Sequence, residues 1–237
     1  MLTRVARVAG KVGLALVVLY GVLVGLGLLL SKGLDDTALP REENEFSRTL
    51  AADRTDTLND LTWVLSGLGN TGAIIGALVV VVAALWWATK KWVLSLFLFV
   101  AVAAQATVFL LVTLVIDRER PKVEHLDDAP PTSSFPSGHT GAAVALFIGS
   151  AFLVAWYLRR RWLKVAAVAV LVAVPLGVAY ARLYRGMHHP TDVVGSFVNG
   201  LACVAVSARY VLGRRLWGRR RLDPSPAPAG AKKVVAT

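Results

Sequence analysis

Six long apolar blocks, each bounded by polar residues, constrain this chain more than any other feature. They lie near Val12–Leu30, Thr71–Ala88, Trp92–Ile116, Thr140–Leu158, Leu163–Tyr180 and Val193–Leu212. A hydrocarbon layer takes roughly 20 residues of helix to cross but only about 10 of strand, so blocks of this length predict helices. An open sheet would also leave backbone groups unpaired in lipid. The prediction is an all-α, polytopic membrane protein with six transmembrane helices in one bundle. Composition agrees: 56% of the 237 residues are hydrophobic and 17% are charged, against about a quarter charged in soluble domains. The first block follows Arg4, Arg7 and Lys11, as a signal peptide would. Its apolar run exceeds the roughly 7–15 residues of an h-region and no A-x-A site follows, so it is expected to be retained.

The charges orient this bundle. A formal net charge of +11 would suit nucleic acid, but the basic residues cluster beside the apolar blocks, where they set membrane topology. With the N-terminus placed in the cytoplasm, the inside segments hold 17 of the 26 basic residues, including Lys90, Lys91, Arg159, Arg160, Arg161 and Lys164. The outside segments hold 14 of the 15 acidic ones. Both termini are therefore expected in the cytoplasm, in a multi-pass protein of the cell membrane whose partners are membrane lipids and not nucleic acid. Residues 1–212 read as one membrane domain, in which 31–70 is an acidic outside cap loop with a short amphipathic helix around Leu50–Leu65. Residues 213–237 read as a basic cytoplasmic tail, disordered in part because its PSPAPAG stretch has nothing to bury. The run Arg214–Arg221 is expected to hold anionic headgroups. Most of the seven tryptophans, among them Trp86, Trp87, Trp92, Trp162 and Trp217, mark membrane interfaces. The single thiol, Cys203, reads as a small core residue.

All four histidines, His125, His139, His188 and His189, fall in or beside two outside segments, Asp117–Gly138 and Ala181–Thr191. Arg118, Arg120, Lys122, Arg182 and Arg185 are there too, with Asp192 close by. Ionisable groups at membrane helix ends are costly and point to function. Cations with histidines and few carboxylates describe an oxyanion site, phosphate above all. Pro136-Ser137-Gly138-His139 opens the fourth helix, where free N–H groups and a positive dipole favour an anion. The same four residues also suit an ordinary helix cap.

Three blocks stand in order: Thr113-Leu-Val-Ile-Asp-Arg-Glu-Arg120-Pro121, then Pro136–His139, then Ala181-Arg182-Leu-Tyr-Arg-Gly-Met-His188-His-Pro-Thr-Asp192. Their order, spacing and placement resemble the type 2 phosphatidic acid phosphatase superfamily, whose pattern is K-x6-R-P, P-S-G-H and S-R-x5-H-x3-D. Thr113 replaces that family's Lys and Ala181 its Ser.

The resemblance implies a membrane lipid phosphatase that needs no metal and no cofactor. His188 would attack phosphorus and form a phosphohistidine. Asp192 would accept its ring N–H and orient it. His139 would protonate the leaving group and then activate water. Arg120, Arg182, the Gly138 N–H and the Ser137 hydroxyl would hold the phosphoryl oxygens, with Arg118 supplying the charge lost at Thr113. The R-x5-H spacing favours His188 over His189 as nucleophile, and His125 reads as a solvated loop residue. Arg185 is assigned equally to phosphate and to headgroup contact. The substrate would be a lipid phosphate met at the extracytoplasmic face: a polyprenyl pyrophosphate, which we favour at this stage, phosphatidic acid or phosphatidylglycerol phosphate.

Three rival readings are weaker. Vanadium haloperoxidases resemble the same site but are soluble. A transporter would place ionisable residues at helix midplanes, whereas the helix interiors here hold little that is polar beyond Gln105, Thr107 and Asn199. A metal site at His139, His188, His189 and Asp192 would surround the histidines with carboxylates, not arginines.

Overall fold

The computed structural model describes residues 2–129 and 131–213. Six of its helices are long and apolar enough to cross a membrane. These are α1 (Ala6–Gly33), α4 (Thr71–Thr89), α5 (Trp92–Thr113), α6 (Gly138–Tyr157), α7 (Arg161–Tyr184) and α8 (Pro190–Leu212). Two shorter helices, α2 (Leu39–Ala52) and α3 (Asp56–Gly67), fill the long connection after α1. The chain is an all-helical, multi-pass membrane protein. The predicted tail from Arg214, including Trp217, lies outside the described residues.

Most spanning helices overrun their apolar blocks because polar signals at their ends can still be helical. Helix α8 begins at Pro190, three residues before the apolar run, because proline suits a first turn that lacks N–H acceptors. Helix α6 begins at Gly138, where Ser137 caps it. Helix α5 stops at Thr113, three residues short of its predicted end.

The bundle is packed around α5, α6 and α8. Phe97, Leu98 and Ala101 of α5 meet Ala145 and Leu146 of α6 and Val204 of α8 in one buried cluster. A second cluster joins Leu19 and Leu23 of α1 to Val108 and Val112 of α5 and Cys203 of α8. Two interior polar side chains donate to backbone carbonyls, Asn199 Nδ2 to Gln105 at 3.2 Å and the Ser150 hydroxyl to Leu146 at 2.7 Å, while the buried Ser207 hydroxyl has no partner among the described residues. The outer faces carry exposed Val79, Val80, Val165 and Val170, a surface suited to lipid and not to water. Trp86, Trp87, Trp92 and Trp162 are exposed around the α4–α5 and α6–α7 connections.

The cap departs from its predicted form. One helix around Leu50–Leu65 was expected, yet the chain makes two, broken at Asp53–Thr55. Thr55 is extended and its hydroxyl accepts from Leu58 N–H at 3.3 Å, so a new helix starts there. Arg54 holds the break against the bundle, donating to the Tyr184 carbonyl at 3.1 Å and the Glu124 carbonyl at 2.9 Å.

Candidate active site

The site is built where α6, α7 and α8 meet the loop before α6. Ser137 is buried, and its hydroxyl accepts from Thr140 N–H at 3.4 Å, closing the start of α6. That start presents Gly138 and His139 to a cavity. Gly138 is required by packing, since a Cβ there would sit 2.8 Å from the Phe109 ring. Helix α7 ends with Arg182 in its last turn, and Gly186 reverses the chain at φ +73. At that positive φ, a side chain would be strained and would also meet the Glu124 carbonyl at 2.9 Å. The reversal presents His188, after which Pro190 opens α8 and Asp192 accepts the His189 N–H at 2.8 Å.

These elements enclose a cavity of ≈ 850 Å³. One part of its wall carries His139, His188, Arg120, Arg182 and Asp127. The rest is mostly apolar, with Val102, Ala106, Phe109 and Ala142, and extends to exposed Trp63, Ile75 and Leu110. A charged headgroup and an apolar chain can therefore share one cavity.

His188 is buried, and its Nδ1 lies 2.8 Å from the Ser134 carbonyl. A carbonyl only accepts, so Nδ1 carries the proton and Nε2 keeps its lone pair. The expected direct bond to Asp192 is not formed, because Nδ1 and Oδ2 are 3.8 Å apart. Ser134 bridges them instead: its hydroxyl donates to Asp192 Oδ2 at 2.5 Å while its carbonyl takes the His188 proton. Burial pushes His188 below the ordinary histidine pKa. Asp192 opposes that shift, while Arg182 and Arg120 add to it.

The arginines divide into two sets. Arg182 donates to Asp127 at 2.6 Å and to the Ser66 hydroxyl of α3 at 2.8 Å, while its buried Nε has no partner among the described residues. Arg120 is half-buried and donates to the Met187 carbonyl at 2.7 Å. Its pKa is lowered by burial, against the pull of Asp192. Burial alone would raise Asp127, but hydrogen bonding to Arg185 and the charges of Arg182 and Arg185 hold its carboxyl below the usual range.

Arg118 and Arg185 are placed otherwise than the sequence led us to expect. Arg118 is not on the cavity wall. It is buried behind His188, donating to Asp192, to Thr191 Oγ1 at 2.8 Å and to Glu43 at 2.6 Å. Arg185 is buried and does not line the cavity. It clamps Asp127, the Leu126 carbonyl and Asn59 of α3. The Ser137 hydroxyl, expected to touch phosphate, is engaged in its helix cap and does not line the cavity. His189 is buried at the start of α8, off the cavity, and His125 Nε2 lies 3.1 Å from the Pro121 carbonyl. Thr113, in place of a lysine, turns its hydroxyl to the Leu110 carbonyl at 2.9 Å. Sequence reasoning missed Ser134, Asp127, Ser66 and Glu43, whose partners lie 54 to 148 residues away in the chain.

The chain is similar to known proteins in sequence and in fold. The chain is 26% identical over 181 residues to phosphatidylglycerophosphatase B of Bacillus subtilis (strain 168), covering 73% of this chain and 85% of that one. Its fold matches the crystal structure of a transmembrane PAP2 type phosphatidylglycerolphosphate phosphatase from Bacillus subtilis, with a TM-score of 0.69 and 22% identity, over 79% of this chain and 93% of the other. It also matches LpxE of Aquifex aeolicus, with a TM-score of 0.60 and 20% identity, over 75% of this chain and 99% of that one. Residues 92–216, which contain His139, His188 and both cavity arginines, match the PAP2 superfamily over more than half the chain, and the protein belongs to that superfamily.

Proposed function

We propose that this membrane lipid phosphatase moves the phosphoryl group of a lipid phosphate onto His188 and then onto water. The observation that carries the reading is the tautomer of His188. Its Nδ1 proton is held by the Ser134 carbonyl, and its Nε2 lone pair is left for the cavity that it shares with His139, Arg120 and Arg182. In the first step the Nε2–P bond forms and the P–O bond to the lipid breaks. The leaving oxygen takes a proton from His139. In the second, His139 takes a proton from water, whose oxygen attacks phosphorus as the N–P bond breaks and inorganic phosphate leaves. Arg120, Arg182 and the Gly138 N–H hold the phosphoryl oxygens as charge redistributes. Asp192 positions His188 through Ser134 and balances its charge.

Residues 1–212 would act as one phosphatase unit, with 31–70 capping the site. The basic residues that flank the α4–α5 and α6–α7 connections support a cytoplasmic location for that end of the bundle. The site would then face outward across the cell membrane, with headgroup at the interface and chain in lipid. The apolar part of the cavity favours an amphiphile. The Bacillus subtilis relative is named for phosphatidylglycerol phosphate, which moves that lipid ahead of the polyprenyl pyrophosphate favoured on sequence.

The test is phosphate release by detergent-purified protein, in the presence of chelator, from phosphatidylglycerol phosphate, phosphatidic acid and a polyprenyl pyrophosphate. Chelator-resistant turnover that His188→Ala abolishes is expected. Turnover that survives His188→Ala, or that chelator removes, would overturn the reading.

A further inference from the structure

The cap helix α2 places one carboxylate inside the bundle. Glu43 is 4% exposed, an unusual position for a residue of an otherwise polar helix. Both of its oxygens are engaged with the groups behind His188. Oε1 accepts the Thr191 N–H at 3.0 Å and the Thr191 hydroxyl at 2.7 Å. Oε2 accepts from Arg118 Nη2 at 2.6 Å. Arg118 Nη1 in turn donates to the Thr191 hydroxyl and to Asp192 Oδ1. Asp192 Oδ2 accepts the Ser134 hydroxyl, and the Ser134 carbonyl holds the His188 Nδ1 proton. An unbroken series of hydrogen bonds thus runs from the cap to the nucleophile.

We propose that Glu43 and Arg118 are positioning residues for the phosphoryl transfer, acting on His188 through Asp192. The inference rests on His188 being the nucleophile. Arg118 is buried between two carboxylates, so the set behind the imidazole carries a net negative charge. Alone, Arg118 would neutralise the Asp192 carboxylate that faces the ring as it gains positive character on attack. Glu43 shares that cation and leaves Asp192 with more of its charge. It also ties the first turn of α8 through Thr191, next to Asp192, and so sets where the carboxylate points. The same contacts explain why a segment 75 residues before Arg118 folds down on the site: the cap completes the support of the nucleophile. Burying such charges costs desolvation that can offset their attraction, so added stability alone does not account for the set.

The experiment is steady-state kinetics of Glu43→Gln on the lipid turned over fastest among phosphatidylglycerol phosphate, phosphatidic acid and a polyprenyl pyrophosphate, with His188→Ala as control. Glutamine keeps the shape and can still accept from Thr191, but it turns an N–H toward Arg118. The expected result is kcat reduced about tenfold or more, with KM within about twofold. Wild-type kcat in folded protein, or a raised KM with kcat unchanged, would overturn the inference. If Glu43→Gln fails to fold, Thr191→Val decides. It removes only the hydroxyl that bridges Arg118 Nη1 and Glu43 Oε1, leaves their direct ion pair, and is expected to lower kcat about threefold with KM unchanged. Wild-type kcat in that variant would overturn the proposal. Activity remaining in His188→Ala would locate the failure in the nucleophile assignment, and the inference would fall with it.

Discussion

The two sides of His188 are built on opposite terms. On the cavity side, Arg120 is half-buried and donates only to backbone carbonyls, those of Met187 and Thr132, while Arg182 pairs with Asp127, whose side chain is 23% exposed. Arg182 also keeps one N–H without a partner among the described residues. Behind the imidazole, Arg118, Asp192 and Glu43 are buried, and their carboxylate oxygens accept from named donors. A cation that must take up and release phosphate cannot be saturated by its own protein. A group that must hold a ring still gains from saturation, because an unpaired buried charge is costly. The motif Arg118-Glu119-Arg120 shows the contrast within three residues: the same side chain serves support at one position and faces the cavity at the other.

Substitutions on the two sides should therefore fail differently. The largest effect after loss of the nucleophile is expected from Arg120→Ala or Arg182→Ala, each lowering kcat/KM by about 10²–10³. Phosphate-release kinetics check this, and a loss under about tenfold would move that arginine out of the phosphate site. Asp192→Asn, behind the ring, should show its effect in the pH profile. In the proposed mechanism His188 must be neutral at Nε2 to attack, and its pKa is already lowered by burial. The acid limb of the wild-type kcat/KM should therefore lie below the ordinary histidine value of about 6.5. Asp192 is the charge that pulls this pKa back up, so removing it should move the limb to still lower pH while reducing the plateau. A limb that moved to higher pH would refute the assigned role of Asp192. The smallest effect is expected from Ser137→Ala, which removes a helix cap worth about 1 kcal/mol. Thermal unfolding in detergent should drop by a few degrees with kcat/KM within about threefold. A tenfold loss of kcat/KM would restore the phosphate contact that its motif implies.

Much of this was legible before any coordinates, and the reason is physical. Lipid forces long apolar runs into helices, so the six spans could be read from hydropathy alone. The three motif blocks were legible because their residues are close in sequence, at the ends of apolar runs, in the order and spacing of one family's pattern. What stayed hidden depends on pairing across the chain. Nothing local tells Arg118 from Arg120, because Glu43, the residue that engages the first, lies 75 positions earlier. The break at Asp53–Thr55 was missed because Thr55 is held by the Tyr184 hydroxyl as well as by its own cap. Ser134 was missed because one half of its bridge is a backbone carbonyl, which every residue has, and the other half is a hydroxyl that meets Asp192, 58 residues later.

The most direct test is to trap the intermediate. Protein quenched during turnover of a lipid labelled with ³²P in its phosphate should carry acid-labile, base-stable phosphate, mapped by peptide mass spectrometry to His188 and absent from His188→Ala. Phosphate found on His189 instead, or an active enzyme that never carries label even under rapid quench, would contradict a covalent step at His188.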